Sequence, residues 1–429
     1  MSAAPAIVAL LQAADPQRVP TTGTYIVFSI VKLLVLFTVL LVTVAMITLM
    51  ERKVAAWIQD RIGPNRLGPG GLLQPAADGL KNFMKEETQP SGAYAPIFNL
   101  APALSFIPAL VAWAVIPLAA PLPTPWGLMD MVLADLPIGY LFLVAVSSLG
   151  AYGITLAGWS SNNKYALLGG LRGAAQMVSY EIALGMSIIP VLMLAGNVSL
   201  GAIVQQQAAG AWNVINLTLA SFVFIVAAFA ETNRLPFDMP EAESELVAGY
   251  HTEYSSMKFS MFMIAEFAAL ITMSALMSTL FFGGWDIPFL AWDNVPPWTV
   301  WKTLATLLAF VLKTGFFVFT FMWIRWTLPR FRYDQLMALG WRVLLPLMLA
   351  YIVVIASALL GLDAAGIRQG SIWHGLALFA LNLVILVLVF GMLDRGRLIS
   401  PSGGRVSDAE LARLRDAARR ARVAETMGD

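Results

Sequence analysis

The residues of this chain best suited to chemistry are carboxylates in unusual places. Glu181, Glu231 and Glu266 lie within or at the end of long apolar stretches, and Glu241, Glu243 and Glu245 crowd one short polar segment. Desolvation and like-charged neighbours both favour the neutral form of a carboxyl group. Such groups hold protons near neutral pH and release them when the local field changes, which is what a proton relay requires. The plainer reading is that these acids pair with Lys313 or with backbone groups and only fix helix packing. Three acids at graded depths leading into one acidic loop favour the relay. In that loop, Glu231 to Glu245, five carboxylates and Arg234 fall within fifteen residues. A spacing of two cannot set Glu241, Glu243 and Glu245 on one helical face. Some of them must face the interior or a partner. A solvated acidic loop is the competing account; a calcium loop is weaker, because the aspartate spacing and closing glutamate of that motif are missing.

Composition says what surrounds these groups. Hydrophobic residues make up 59% of the 429 and charged ones 12%, where a soluble domain has about a quarter charged. Lipid must be the solvent for most of the chain. A net charge of +1 gives no basic face for nucleic acid. With no cysteine, the chain holds no disulfide, thiolate-bound iron–sulfur cluster or cysteine–zinc site. Two histidines, His251 and His374, make a bis-histidine haem a poor fit, and no metal site is expected. Redox centres must belong to other chains.

The elements that position the acids are helices. A spanning helix needs about 20 mostly apolar residues, and nine windows qualify: 25–50, 97–119, 136–158, 174–196, 214–231, 259–283, 303–325, 343–362 and 372–393. The expected fold is therefore all-α and polytopic, with about nine transmembrane helices and interfacial amphipathic helices besides. With the N-terminus outside and the C-terminus cytoplasmic, the inner segments hold 22 Lys and Arg. The outer ones hold Arg18, Lys302 and Arg368, as the positive-inside rule requires. Residues 1–24 form an external segment without a basic leader, 25–362 an eight-helix core, 363–393 an additional ninth helix, and 394–429 a basic cytoplasmic tail. Ser407-Asp408-Ala409-Glu410 fits a capping box opening a basic helix suited to anionic lipid heads. Glu181 and Glu266 lie about 12 Å from the inner surface. Lys32 can snorkel to the outer surface, whereas Lys313 sits mid-span, where charge is costly.

Two other inner loops exceed a connector's needs. Residues 51–96 begin Glu51-Arg52-Lys53-Val54-Ala55-Ala56-Trp57-Ile58-Gln59-Asp60-Arg61 and turn through Gly63-Pro64-Asn65 and Gly68-Pro69-Gly70-Gly71. Over 72–85 the apolar residues share one helical face and Asp78, Lys81, Asn82 and Lys85 the other, an interfacial helix. An ordinary interfacial anchor would look similar, but glycine-rich turns that hold charges at an apolar edge suit a mouth for an amphiphile. Pro329 to Gln335 adds basic residues and a Tyr333-Asp334-Gln335 run that can dock a soluble partner.

Three segments carry a resemblance: ERKVAAWIQDRIGPNRLGPGGLLQPAADGLK at 51–81, ETNRLPFDMPEAESELVAGYHTEYSSMKF at 231–259 and PRFRYDQLMALGWRVLLP at 329–346. The chain resembles the H-subunit family of bacterial NADH:quinone oxidoreductase, called subunit 1 in mitochondrial complex I, over about residues 25–360. The resemblance implies a membrane subunit of a proton-pumping respiratory complex in the bacterial plasma (inner) membrane, with quinone as substrate. Flavin and iron–sulfur clusters would belong to partner subunits, and the partners would be soluble quinone-site subunits, small and antiporter-like membrane subunits, and lipid. It implies that Glu51, Arg52, Trp57, Arg61, Asp78 and Phe237 line or border the quinone chamber. Glu181, Glu231, Glu241, Glu243, Glu245 and Glu266 would form the acidic route to the antiporter-like subunits, and Lys313 is counted with that path from its mid-span position. The ninth helix and tail lie beyond the family's eight-span core. A sister complex with another electron donor, such as a membrane-bound hydrogenase, is the competing function. A stand-alone secondary transporter would show two corresponding halves, and no internal repeat is present.

Overall fold

The computed structural model describes residues 22–288, 290, 292–367 and 371–393. The external segment before residue 22 and the basic tail from 394 onward lie outside the described residues. A helix occupies each of the nine apolar windows. Seven are long and apolar enough to cross a membrane: Thr22–Ile58, Ala95–Val115, Gly139–Ser160, Lys164–Ala195, Ser256–Phe281, Val300–Thr327 and Tyr333–Ala364. Thr218–Glu231 and Trp373–Val389 are shorter apolar helices. The protein is a multi-pass, all-α membrane protein.

In chain order the helices are α1 (Thr22–Ile58), α2 (Gln74–Met84), α3 (Ala95–Val111), α4 (Gly139–Ser147), α5 (Leu149–Ser160) and α6 (Lys164–Ala195). There follow α7 (Leu200–Ala208), α8 (Asn213–Asn216), α9 (Thr218–Glu231), α10 (Glu243–Leu246) and α11 (Ser256–Phe281). The last are α12 (Val300–Thr327), α13 (Tyr333–Ala338), α14 (Leu345–Ala364) and α15 (Ile372–Leu393). A π-helical turn, Leu339–Leu344, joins α13 to α14. The one sheet among the described residues is a small hairpin, β1 (Leu122–Thr124) against β2 (Gly127–Met129), in the loop before α4.

Among the boundaries that differ from the hydropathy windows, two bear on the site. The first long inner loop does not begin at Glu51. No glycine or proline interrupts the chain before Gly63, and Val54, Ala55 and Ala56 are buried, so α1 runs on through Ile58. Glu51, Arg52 and Trp57 therefore sit on a rigid helix, not on a flexible loop. Likewise α6 starts at Lys164, where the Asn163 side chain accepts a hydrogen bond from the Tyr165 amide, ten residues ahead of the apolar window. The expected interfacial helix is present as α2. Gly71 lets the turn before it close: its φ is +85°, and a Cβ there would lie 2.2 Å from the Pro64 carbonyl oxygen.

Helix α6 is central, packing on α5, α9 and α14, while α11 packs between α3 and α12. Helix α9 has 14 residues, about 21 Å at 1.5 Å per residue, short of a full crossing. It joins α8 through Leu217, whose backbone leaves the helix (φ −136°, ψ 49°). Irregular backbone at membrane depth is tolerated where protein surrounds it, and Leu217 is fully buried. The short helix brings the Glu231–Glu245 loop down into the bundle. Helix α15 packs on α8 and α9.

Candidate functional site

A guanidinium stands at the centre of the acidic loop. Arg234 follows the end of α9 and is 3% exposed. Its Nη1 donates to both carboxylate oxygens of Glu51, at 2.9 and 3.0 Å. Its Nε lies 2.5 Å from Glu266 of α11, and its plane covers the Phe267 ring at 4.3 Å from the centroid. Arg325, in the last turn of α12, also pairs with Glu51. Two acids and two arginines from four elements thus meet in the interior. A buried charge is tolerable only when paired; every charge of the network has an opposite partner, while Arg234 Nε and Nη2 and Arg325 Nε make no hydrogen bond.

The loop backbone is held in place from α6. The buried Gln176 amide donates to the carbonyls of Ala230 and Phe237, both at 2.7 Å, and to Asn233 at 3.2 Å. Gly249 closes the far end of the loop. Its φ is +59°, and a Cβ would fall 1.7 Å from the Pro240 carbonyl oxygen, so only glycine allows this crossing.

Around the arginines lies a second tier. Asp238 pairs with Arg330 at 2.7 Å, and Arg330 also reaches the Ser244 hydroxyl at 3.3 Å. Burial, and next the Glu241 charge, push the Asp238 carboxyl up to about 7, against the pull of Arg330 and Arg325. Glu241 lies 3.4 Å from His251 Nε2. Burial works against the charged forms of both partners. The His251 hydrogen bond and charge outweigh it and hold Glu241 below the ordinary carboxylate range. The same contact raises His251.

A cavity of about 60 Å³ adjoins this network, lined by Glu231, Glu266, Ser105, Met177 and Tyr250 among others. It has room for about two water molecules. Glu231 Oε2 is buried and has no protein partner, as expected of a group that faces water. Deeper along α6, Glu181 accepts a hydrogen bond from the Ser148 hydroxyl, and it lies close enough to Glu231 for their charges to interact.

The structure distributes the other expected site residues unevenly. Phe237 is buried and stacks on Phe331 at 5.5 Å, with Tyr180 on its other side at 5.8 Å. Arg52 pairs with Asp78 of α2 at 2.6 Å, half-exposed, between the two helices. Lys53 donates to the Gly70 carbonyl at 2.6 Å, fastening the glycine turn to α1. Trp57 in the last turn of α1 and Arg61, three residues beyond its end, are both exposed. Glu243 and Glu245 are exposed as well, and Glu245 pairs with Arg172 of α6. Lys313 stands apart. Its ammonium donates to the carbonyls of Phe282, Gly284 and Asp286 at 2.7, 3.0 and 2.5 Å and lies 4.2 Å from the Trp212 ring centroid. That loop begins sixteen residues beyond Glu266, about 24 Å along α11. Lys32 donates to the carbonyls of Asp130 and Val132 beyond the hairpin.

Sequence reasoning missed Arg234 and Arg325 as working residues. Arg234 carried a signal, being the single cation among five acids. Arg325 carried none, because the positive-inside rule accounts for a basic residue at that helix end. On the membrane side, an apolar pocket of about 420 Å³ lies between α1 and α12 and extends along α1 from Leu36 to Met50, one residue from Glu51.

Fold and site together define a multi-pass membrane protein with a buried ionic core at one end of its bundle. A family model described as NADH dehydrogenase matches residues 31–356. The chain is 48% identical to the first H-type subunit of NADH-quinone oxidoreductase from Cytophaga hutchinsonii over 324 residues, covering 76% of this chain and 94% of the relative. It is 47% identical to the H-type subunit of NADH-quinone oxidoreductase from Magnetococcus marinus, over 79% of this chain and 94% of that one. With the corresponding H-type subunit of Flavobacterium johnsoniae the identity is 46%, over 80% and 98%. The chain belongs to the NADH dehydrogenase family of complex I H-type subunits, membrane components of an enzyme assembled from several polypeptides.

Proposed function

We propose that this chain forms the membrane side of the quinone chamber of a proton-translocating NADH-quinone oxidoreductase, and that it converts quinone reduction into proton movement through buried carboxylates. The observation that carries this reading is the Glu51–Arg234–Glu266 network, which is continuous with the small cavity shared by Glu266 and Glu231. The apolar pocket ending at Met50 suits an isoprenoid tail, and the Arg52–Asp78 pair borders the mouth. Trp57 and Arg61 are exposed and would meet a soluble partner subunit. Flavin and iron–sulfur clusters would sit in such partners, and the cysteine-free sequence agrees with that division of labour.

Two-electron reduction of a quinone places negative charge on its oxygens until protons arrive. That charge would compete with Glu51 for Arg234 and Arg325. Any weakening of the Arg234–Glu266 contact changes the proton affinity of Glu266, and the change passes to Glu231 through the cavity and to Glu181 beyond it. Glu241 and His251 form a side branch facing the loop surface. Lys313, tied to carbonyls that take up no proton, holds the opposite end of α11 in place. The distribution of basic residues supports an N-terminus outside and a cytoplasmic loop surface in the bacterial plasma membrane.

The test is the paired substitution Glu181→Gln and Glu266→Gln in the assembled complex. Proton translocation per quinone reduced should collapse in the Glu266→Gln variant and fall in Glu181→Gln. Intact pumping and quinone reduction in both variants would sink the relay.

A further inference from the structure

We propose that the end of the bundle opposite Arg234 carries a second, non-catalytic amphiphile site, in which His374 of α15 holds the hydrogen-bonding head of a neutral quinone-type ring. This inference rests on the reading that the complex works with quinone. A pocket of about 840 Å³ lies between the turn after α7, the α8 segment and the start of α15, within the size range of small-molecule sites. The polar side chains at its wall include Gln206, Ser371 and His374. His374 is 4% exposed, lines this space, and no described residue hydrogen-bonds to its ring. Its ring nitrogens are not among the enclosed polar atoms that lack a partner; they face the pocket, where a ligand atom can meet them.

The chemistry of that ligand follows from the wall. Among the described lining residues there is no Lys, Arg, Asp or Glu, so the described wall offers a phosphate head no counter-charge. A neutral imidazole has one donor and one acceptor. It can therefore donate to a quinone carbonyl or accept from a quinol hydroxyl. Ile215, Leu376 and Phe379 stand exposed at the rim, facing what would be lipid, and supply a path for an apolar tail. The head position is fixed because α15 is tied down: the Asn382 amide donates to the Asn216 carbonyl at 2.7 Å, and the Tyr351 hydroxyl donates to Asn382 at 2.6 Å. Helix α9 runs from this pocket to the Arg234 network, so the two sites lie about 21 Å apart along its axis. The site therefore gives the ninth helix a function of its own.

The experiment is photolabelling of the assembled complex with a short-tailed azidoquinone, followed by peptide mapping. Label is expected in residues 206–216 or 371–379, separately from any label near Glu51 and Arg234. The variant His374→Leu should lower the first label about tenfold, the affinity carried by one good hydrogen bond. It should leave quinone reduction and the label near Arg234 unchanged. Excess short-chain quinone should compete, and excess phosphatidylglycerol should not. Absence of label from the 206–216 and 371–379 segments, label indifferent to His374→Leu, or displacement by phospholipid would each overturn the proposal. Failure of the chamber reading would show instead as missing label near Glu51 and Arg234.

Discussion

Two cations inside the bundle, the buried Arg234 and the half-buried Lys313, solve the same desolvation problem in opposite ways. Arg234 is satisfied by carboxylates, Glu51 and Glu266, beside a cavity with room for water. Lys313 is satisfied by three backbone carbonyls and the face of Trp212. Carbonyls have no second protonation state, and the two buried acids whose charges reach Lys313, Asp286 and Asp293, accept hydrogen bonds from Trp212 and Asn294 and from the Ile287 amide, so this cage is built to hold. Carboxylates have two, so the Arg234 network can respond to a charge placed nearby. The lesson is that a charge inside a membrane helix marks function by the nature of its partners, not by its depth.

The largest effect expected from breaking this contrast comes from Arg234→Ala. It leaves two buried acids without their shared cation, which costs about 3–5 kcal/mol for a buried pair. The assembled complex should lose most of its thermal stability and its quinone reductase activity together, as read by a melting curve and a turnover assay. Lys313→Met sharpens the comparison from the other side. It strands three carbonyls at about 1–3 kcal/mol for an unsatisfied buried group, so the melting temperature should drop while the folded fraction keeps its proton-to-electron ratio. A folded Lys313→Met complex that no longer pumps would return this lysine to the relay.

The loop around Arg234 should also show a pH dependence of its own. His251 is raised in the folded protein by Glu241, so its pairing stabilises fully below its ordinary value, about 6.5. That stabilisation is lost as pH rises through the higher folded value. Asp238, pushed up to about 7, acts in the same direction: its charged form is disfavoured by folding, so stability falls as pH rises from its ordinary range toward 7. Melting of the complex across pH 5 to 9 should therefore show a decline on the alkaline side, flattened in His251→Gln. A profile unchanged by that substitution would contradict the assignment. The smallest effect belongs to Arg52→Ala. Its pair with Asp78 is half-exposed, and such pairs contribute about 1 kcal/mol or less. Stability should barely change, while the apparent affinity for quinone should weaken in a kinetic titration if the pair shapes the mouth.

Much of this arrangement is legible in the amino-acid order. Apolar length alone marks every long helix, because a bilayer leaves helices as the only open-ended way to satisfy the backbone. Glu181, Glu231 and Glu266 stand out because charge within apolar sequence is rare. Other parts are hidden for physical reasons. That α1 continues through Ile58 depends on Val54, Ala55 and Ala56 being buried by neighbours, which hydropathy windows do not encode. The pairing of Glu51 with Arg234, 183 residues away, is set by tertiary packing and leaves no local trace. Glu243 and Glu245 look equal to Glu241 by type and spacing, yet the turn at Gly249 draws Glu241 inward toward His251 and leaves the other two at the surface. The carbonyls that hold Lys313 come from 27 to 31 residues away and leave no trace in the sequence around it.

The central claim is that Glu231 and Glu266, joined by the small cavity, change protonation when quinone is reduced. Redox-induced infrared difference spectroscopy of the assembled complex measures this directly through the protonated-carboxyl stretch. A carboxyl band should appear on quinone reduction and be lost in both Glu231→Gln and Glu266→Gln. A reduction spectrum with no carboxyl band, or with one that both substitutions leave untouched, would contradict it.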